Sequence, residues 1–257
     1  RDAGLPRFER MGYAAAEGDR WEEKPELLLF CGGMLNAAID DTVTAFEERE
    51  GLSVTRVYNG CGLLVSQMNA GASPDAYFSC DQTFLDLVSE RFHPGTTVSS
   101  NRIVILVRKG NPANIKGLAD ICKPGLKVGL GHPEKSAIGV LTRDLFEEAG
   151  LTERLEASGN IVLDSATGDF LVNQMRTGSL DAVIVYRSNA AAALKDVDLV
   201  TLSNPGAQAT QPFAVAYSSN HPGTLARLLN TLTQADSRER FGSLGFGWEQ
   251  PLPAESE

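Results

Sequence analysis

The sequence predicts an α/β protein built on parallel strands. Strand and helix signals alternate from Leu27 onward, several strands are continuous apolar runs, and glycine closes several of the helical stretches. Repeated strand–helix–strand units require crossovers and hence parallel pairing. An apolar run without alternation suits a strand covered on both faces.

The elements follow in order. Residues 26–30 (ELLLF) form the first strand, bounded by Gly32 and Gly33. Ala38, Val43 and Phe46 then recur at helical spacing over residues 36–50, and Gly51 stops that helix. Residues 52–58 alternate and are rich in β-branched side chains, which gives a second strand. The turn NGCG at 59–62 leads into a helix through Ala70, and 75–79 is a short third strand. Further strands are expected at 102–107 (RIVILV), 126–130 (LKVGL), 161–164, 182–186 (AVIVY) and 213–217 (FAVAY). Helices are expected at 137–149, 170–177 and 222–234. Two architectures fit: one doubly wound sheet of about eight strands, or two smaller lobes joined by extended crossing segments. Residues 102–107 and 213–217 are the candidates for those segments.

Composition narrows the function. The chain has 257 residues, 42% of them hydrophobic and 22% charged, enough for a sizeable core. Lys and Arg number 23 against 33 Asp and Glu, a net charge of −10. That balance speaks against nucleic acid as a partner, since phosphate tracking runs on basic patches. No apolar run approaches the roughly 20 residues that span a bilayer. Residues 1–26 read as an N-terminal extension or tether, with a short helix around 8–17, and residues 249–257 as a mobile tail. Four cysteines are too few for a disulfide scaffold at this length.

The segments LLLFCGGMLNAAIDDTVTAFEEREG, NGCGLLVSQMNAG, DAYFSCDQTFLDLV, NRIVILVRKGNP, LADICKPGLKVGLGHPEKSAIGVLTRDLFEEAGL and GSLDAVIVYRSNA occur in that order. With the ending QPFAVAYSSNHPGTLARLLNTL and RERFGSLGFGW, they resemble the periplasmic solute-binding receptors of ABC importers, of the molybdate/tungstate-binding type. The resemblance covers nearly all of residues 27–248. It implies the type II periplasmic-binding-protein fold, two Rossmann-like lobes joined by two crossing segments. Lobe one would be residues 27–100 and 213–248, and lobe two residues 101–212.

The resemblance also implies a tetrahedral oxyanion held between the lobes by hydroxyls and by backbone amides at helix starts, where unpaired N–H groups and the positive dipole end face the ligand. The matching positions here are Met34 and Leu35, Cys61 and Gly62, Ala137 and Ile138, Gly168, and the Tyr186 hydroxyl. Met34 and Cys61 stand where the family usually has serine, so two hydroxyl donors are replaced. In the family topology Cys31, Cys61 and Cys80 fall at the cleft edge of lobe one, and His132 lies across the cleft. Three readings of these sulfurs stay open. Two of them form a disulfide, as in an oxidising exterior; Cys61, Cys80, Met34 and His132 hold a soft metal such as Cu or Zn; or the thiols are buried as small hydrophobes.

Other residues have bland readings. His93 and His221 precede prolines in loops, Met68 and Met175 are core residues, and Asp75 and Asp81 cap a helix or hinge. Gly129-Leu-Gly131 lacks the ending of a nucleotide loop. No G-x-S-x-G, H-E-x-x-H or C-x-x-C occurs. An enzyme would rest on Cys61 activated by His132. The expectation is instead a monomeric, non-enzymatic, periplasmic or otherwise extracytoplasmic receptor. It would carry no resident cofactor and deliver a molybdate- or tungstate-like oxyanion to an ABC permease. The alternatives are a soft-metal receptor and a sensor or interaction domain of the same fold.

Overall fold

The computed structural model describes residues 24–250. The helix expected at 8–17 and residues 251–257 of the expected tail lie outside them. The tail's first residues are tied down: the Glu249 amide donates to the Val98 carbonyl at 3.2 Å, and the Gln250 side chain reaches the Thr97 carbonyl.

In chain order the strands are β1 (Glu26–Gly32), β2 (Ser53–Asn59), β3 (Ala76–Phe78), β4 (Thr96–Arg108), β5 (Val128–Gly131), β6 (Ile161–Ser165), β7 (Ala182–Tyr186), β8 (Val197–Thr201), β9 (Gln208–Val215) and β10 (Gly247–Trp248). The helices are α1 (Asn36–Glu50), α2 (Cys61–Asn69), α3 (Gln82–Asp86), α4 (Leu118–Ile121), α5 (Ala137–Glu148), α6 (Thr152–Ser158), α7 (Gly168–Arg176), α8 (Arg187–Ala190), α9 (Pro222–Leu232) and α10 (Ala235–Ser243).

Strand order runs β2-β1-β3-β9-β4-β7-β5-β6, with β8 and β10 also pairing to β4. One long strand serves both lobes. Residues 96–102 of β4 pair with β9, and Ser99 and Ser100 pair with β10. Residues 103–108 pair with β7 on one side and β8 on the other. The first crossing is therefore β4 itself. The return lies between β8 and β9, not at 213–217, because β9 pairs only with β3 and the first part of β4. Within each lobe β1 joins β2 and β3 in parallel, and β5 joins β6 and β7 in parallel.

The period of two along β4 and β7 divides the core. Ile103, Ile105 and Val107 of β4 and Ala182, Ile184 and Tyr186 of β7 belong to one apolar cluster that extends into lobe one. Val104, Leu106, Val183 and Val185 point to the opposite face, where Leu171, Val172 and Met175 of α7 cover them. Both faces are buried, which is why RIVILV and AVIVY read as unbroken apolar runs. Glycine ends two helices with left-handed backbone, at Gly51 (φ 69°) and Gly159 (φ 63°).

Candidate functional site

The parallel strands β1, β2 and β3 of one lobe and β5, β6 and β7 of the other end on a shared gap, the place where open parallel sheets hold ligands. A 3-10 turn (Gly33–Leu35) and helices α2, α5, α7 and α8 start just beyond these strand ends. At none of these starts does the residue before the helix cap it with its side chain, although Ser136 precedes α5 and Thr167 precedes α7; at α8 the Ser188 amide donates to Asn101 Oδ1 at 3.4 Å. By contrast α3 is capped by Asp81, whose Oδ1 accepts from the Thr83 amide at 3.0 Å. Uncapped helix starts leave N–H groups facing the gap.

The gap closes on a cavity of about 20 Å³, lined from lobe one by Gly33, Met34, Asn59, Gly60 and Cys80. From lobe two come Ser136, Ala137, Ala166, Thr167, Gly168, Tyr186 and Asn189. Apart from the Tyr186 phenol, no ionisable side chain is among them. Two polar atoms of the lining are buried without a hydrogen-bond partner: the Tyr186 hydroxyl and Asn189 Oδ1. Burial, reinforced by the Asp81 carboxylate and by Tyr77, holds the Tyr186 phenol well above its ordinary value, so it stays a donor. The Asp81 carboxylate is already engaged by Thr83 and by the Thr210 amide.

The lobes meet through glycine backbone. A Cβ on Gly60 would collide with the carbonyl oxygens of Lys135 and Ala166, and one on Gly62 with that of Glu134. Gly168 is close to Asn189 in the same way: a Cβ there would lie 2.5 Å from Asn189 Oδ1.

Met34, Ala137, Gly168 and Tyr186, all anticipated, line the cavity, while Leu35, Cys61, Gly62 and Ile138 are not part of its lining. The sequence reading placed the contacts at the first residues of the helices. The lining is supplied as much by the residues before them, Gly60, Ser136 and Thr167. Ser136 and Thr167 were legible as helix-start residue types. Asn189 had no signal beyond its place three residues after Tyr186.

The metal expectation is corrected. Cys61 and Cys80 form a disulfide, joining the first residue of α2 to the segment after β3. Neither sulfur is then a thiolate, the form in which cysteine ligates metal or attacks carbon. His132 Nδ1 accepts the amides of Glu134 (3.1 Å) and Lys135 (3.3 Å), so it serves its own loop. Met34 is left as a single thioether, and among the described residues no group of three or more His, Cys, Asp or Glu side chains could hold a metal ion. The Cys61–His132 nucleophile falls for the same reason. Of the three readings of the sulfurs, the disulfide holds for Cys61 and Cys80, while Cys31 and Cys122 are buried free thiols.

A family model described as bacterial extracellular solute-binding protein matches residues 27–247. The chain belongs to that family. Among its relatives, the molybdate-binding protein ModA of Mycobacterium tuberculosis (strain H37Rv) is 26% identical over 226 residues, covering 86% of this chain and 84% of the relative. Similar solved structures include the sulfate-binding protein SubI of M. tuberculosis, at TM-score 0.73 and 19% identity over 88% of each chain. The periplasmic molybdate-binding protein of Azotobacter vinelandii has TM-score 0.72 and 14% identity, over 87% of this chain and all of that one. Membership of this solute-binding family agrees with the two-lobed fold.

Proposed function

We propose that this family member is the extracytoplasmic receptor of an ABC importer and captures a small tetrahedral oxyanion of the molybdate or tungstate kind in the inter-lobe cavity. The observation that carries this reading is the convergence, from both lobes, of helix starts without side-chain caps on the partnerless Tyr186 hydroxyl. Such a site offers donors and dipole ends and, among the described residues, no cationic side chain. It binds an anion through N–H groups despite the net charge of −10. The names of the relatives favour molybdate within that class.

A cavity of about 20 Å³ admits about one water-sized atom. An anion with four oxygens enters as the lobes part, and its bridging of both sets of amides then favours a closed form. The monomeric receptor turns over no substrate, holds no resident cofactor and hands its ligand to a membrane permease. Calorimetric titration with molybdate, tungstate and sulfate tests the reading. Molybdate or tungstate is expected to bind one to one. A folded protein that binds none of the three overturns the reading, and oxyanion binding without recognition of a permease favours the sensor domain.

A further inference from the structure

We propose that anion capture at this site is coupled to the uptake of one proton by Asp169, with the Asn189 carboxamide as the group that turns. The inference rests on the oxyanion reading above. Asn189 is 8% exposed and lines the cavity. Its Nδ2 donates to Asp169 Oδ1 at 2.8 Å, and its Oδ1 is buried without a partner. In this orientation the amide presents an acceptor. An oxyanion without an O–H presents acceptors too, so Oδ1 stays unsatisfied when such a ligand binds.

A half-turn of the carboxamide resolves the mismatch, because its oxygen and nitrogen are nearly the same size and exchange places. Nδ2 then donates to the anion and Oδ1 faces Asp169. Two acceptors would now meet at that second contact unless Asp169 is protonated. The proton comes from water, binds the Asp169 carboxylate and is donated to Asn189 Oδ1. The same step removes a negative charge from the first turn of α7, the helix whose start faces the ligand. Asp169 stands on the exposed side of the first turn of α7, and the partial burial of its carboxyl raises it above its ordinary value, opposed by the hydrogen bond from Asn189.

The titratable and charged residues on the elements packed against α7 are Arg102 and Arg108 of β4, Asp164 of β6, Tyr186 of β7 and Arg187 of α8. Arg108 is paired with Asp181, and the Arg187 side chain lies beside Gly245. Among the described residues no salt bridge reaches Asp169, and Asn189 is its one side-chain partner.

The test is calorimetric titration of the unaltered protein with sodium molybdate between about pH 5 and pH 8, from just above the ordinary carboxyl value upward, in two buffers of different ionisation enthalpy. Affinity is expected to fall as pH rises, by up to about tenfold per pH unit above the Asp169 pKa. The buffer dependence of the heat should correspond to nearly one proton taken up. Asp169→Asn, which offers Asn189 Oδ1 a permanent N–H donor, is expected to bind with pH-independent affinity and no proton uptake. Molybdate binding by the unaltered protein that is flat with pH and free of proton uptake overturns this inference and leaves the oxyanion reading standing. A wild-type slope retained in Asp169→Asn also overturns it. No molybdate binding at any pH overturns both. The proton count on the unaltered protein decides the matter even if the variant does not fold.

Discussion

The backbone of Gly62, in the first turn of α2, lies so close to the Glu134 carbonyl that no side chain fits between them. Gly60, two residues earlier, stands the same way against Lys135 and Ala166. These contacts join the lobe-one turn to the loops of lobe two, so closure depends on the missing Cβ atoms. Backbone carbonyls cannot swing aside as a flexible side chain would.

Gly62→Ala is therefore expected to weaken oxyanion binding by tenfold or more, about 1.4 kcal/mol. The unliganded protein should keep its stability, since alanine is the better helix former at such a position. Titration calorimetry and a thermal melt on the same preparation check the two halves. A melting point lowered in step with the affinity would mean that the glycine serves folding instead of closure.

Tyr186→Phe removes the hydroxyl that has no partner within the protein. A hydrogen bond to a charged group contributes about 1.5–3 kcal/mol, so the affinity for molybdate should drop by about ten- to hundredfold. Folding stability should be unchanged or slightly higher, because a buried orphan hydroxyl is replaced by hydrogen. Unchanged molybdate affinity in this variant would remove the phenol from the site.

The sequence was most legible where burial is two-sided. The run AVIVY matches β7 residue for residue, and RIVILV lies inside β4. The first part of β4, TTVSSN, was missed because its serines and asparagine are buried yet polar. Ser99, for instance, donates to the Gln211 side chain at 2.8 Å. Strand β8 was missed because Asp198 interrupts it, with a carboxylate that accepts the Gly110 amide and pairs with Lys109. Helix α6, TERLEAS, buries only Leu155 and so shows no apolar face to read. At the site, the positions of the helix starts came from the family resemblance, and the short helix α8 carried no signal of its own. Which atom faces the cavity was not legible, because that depends on an offset of one residue set by each strand–helix turn. The disulfide was undecided for a related reason: four cysteines allow several pairings, and only the fold places Cys61 beside Cys80.

The last prediction concerns those sulfurs. Cys31 and Cys122 are buried, and burial raises both thiols above their ordinary value, so neither offers an accessible thiolate. A thiol reagent should find essentially no reactive cysteine in the native, unreduced protein. It should find two after unfolding in denaturant, from the free pair, and four after unfolding with a reductant. The disulfide closes a loop between positions 19 residues apart. For a loop of this size, loss of the cross-link costs about 3 kcal/mol. The double variant Cys61→Ala with Cys80→Ala should therefore have an unfolding free energy lower by that amount, seen as a lower denaturant midpoint, and a reductant should not destabilise it further. Four reactive thiols on unfolding without reductant would mean that the two sulfurs are not bonded. The first helix start of the cleft would then be held by packing alone.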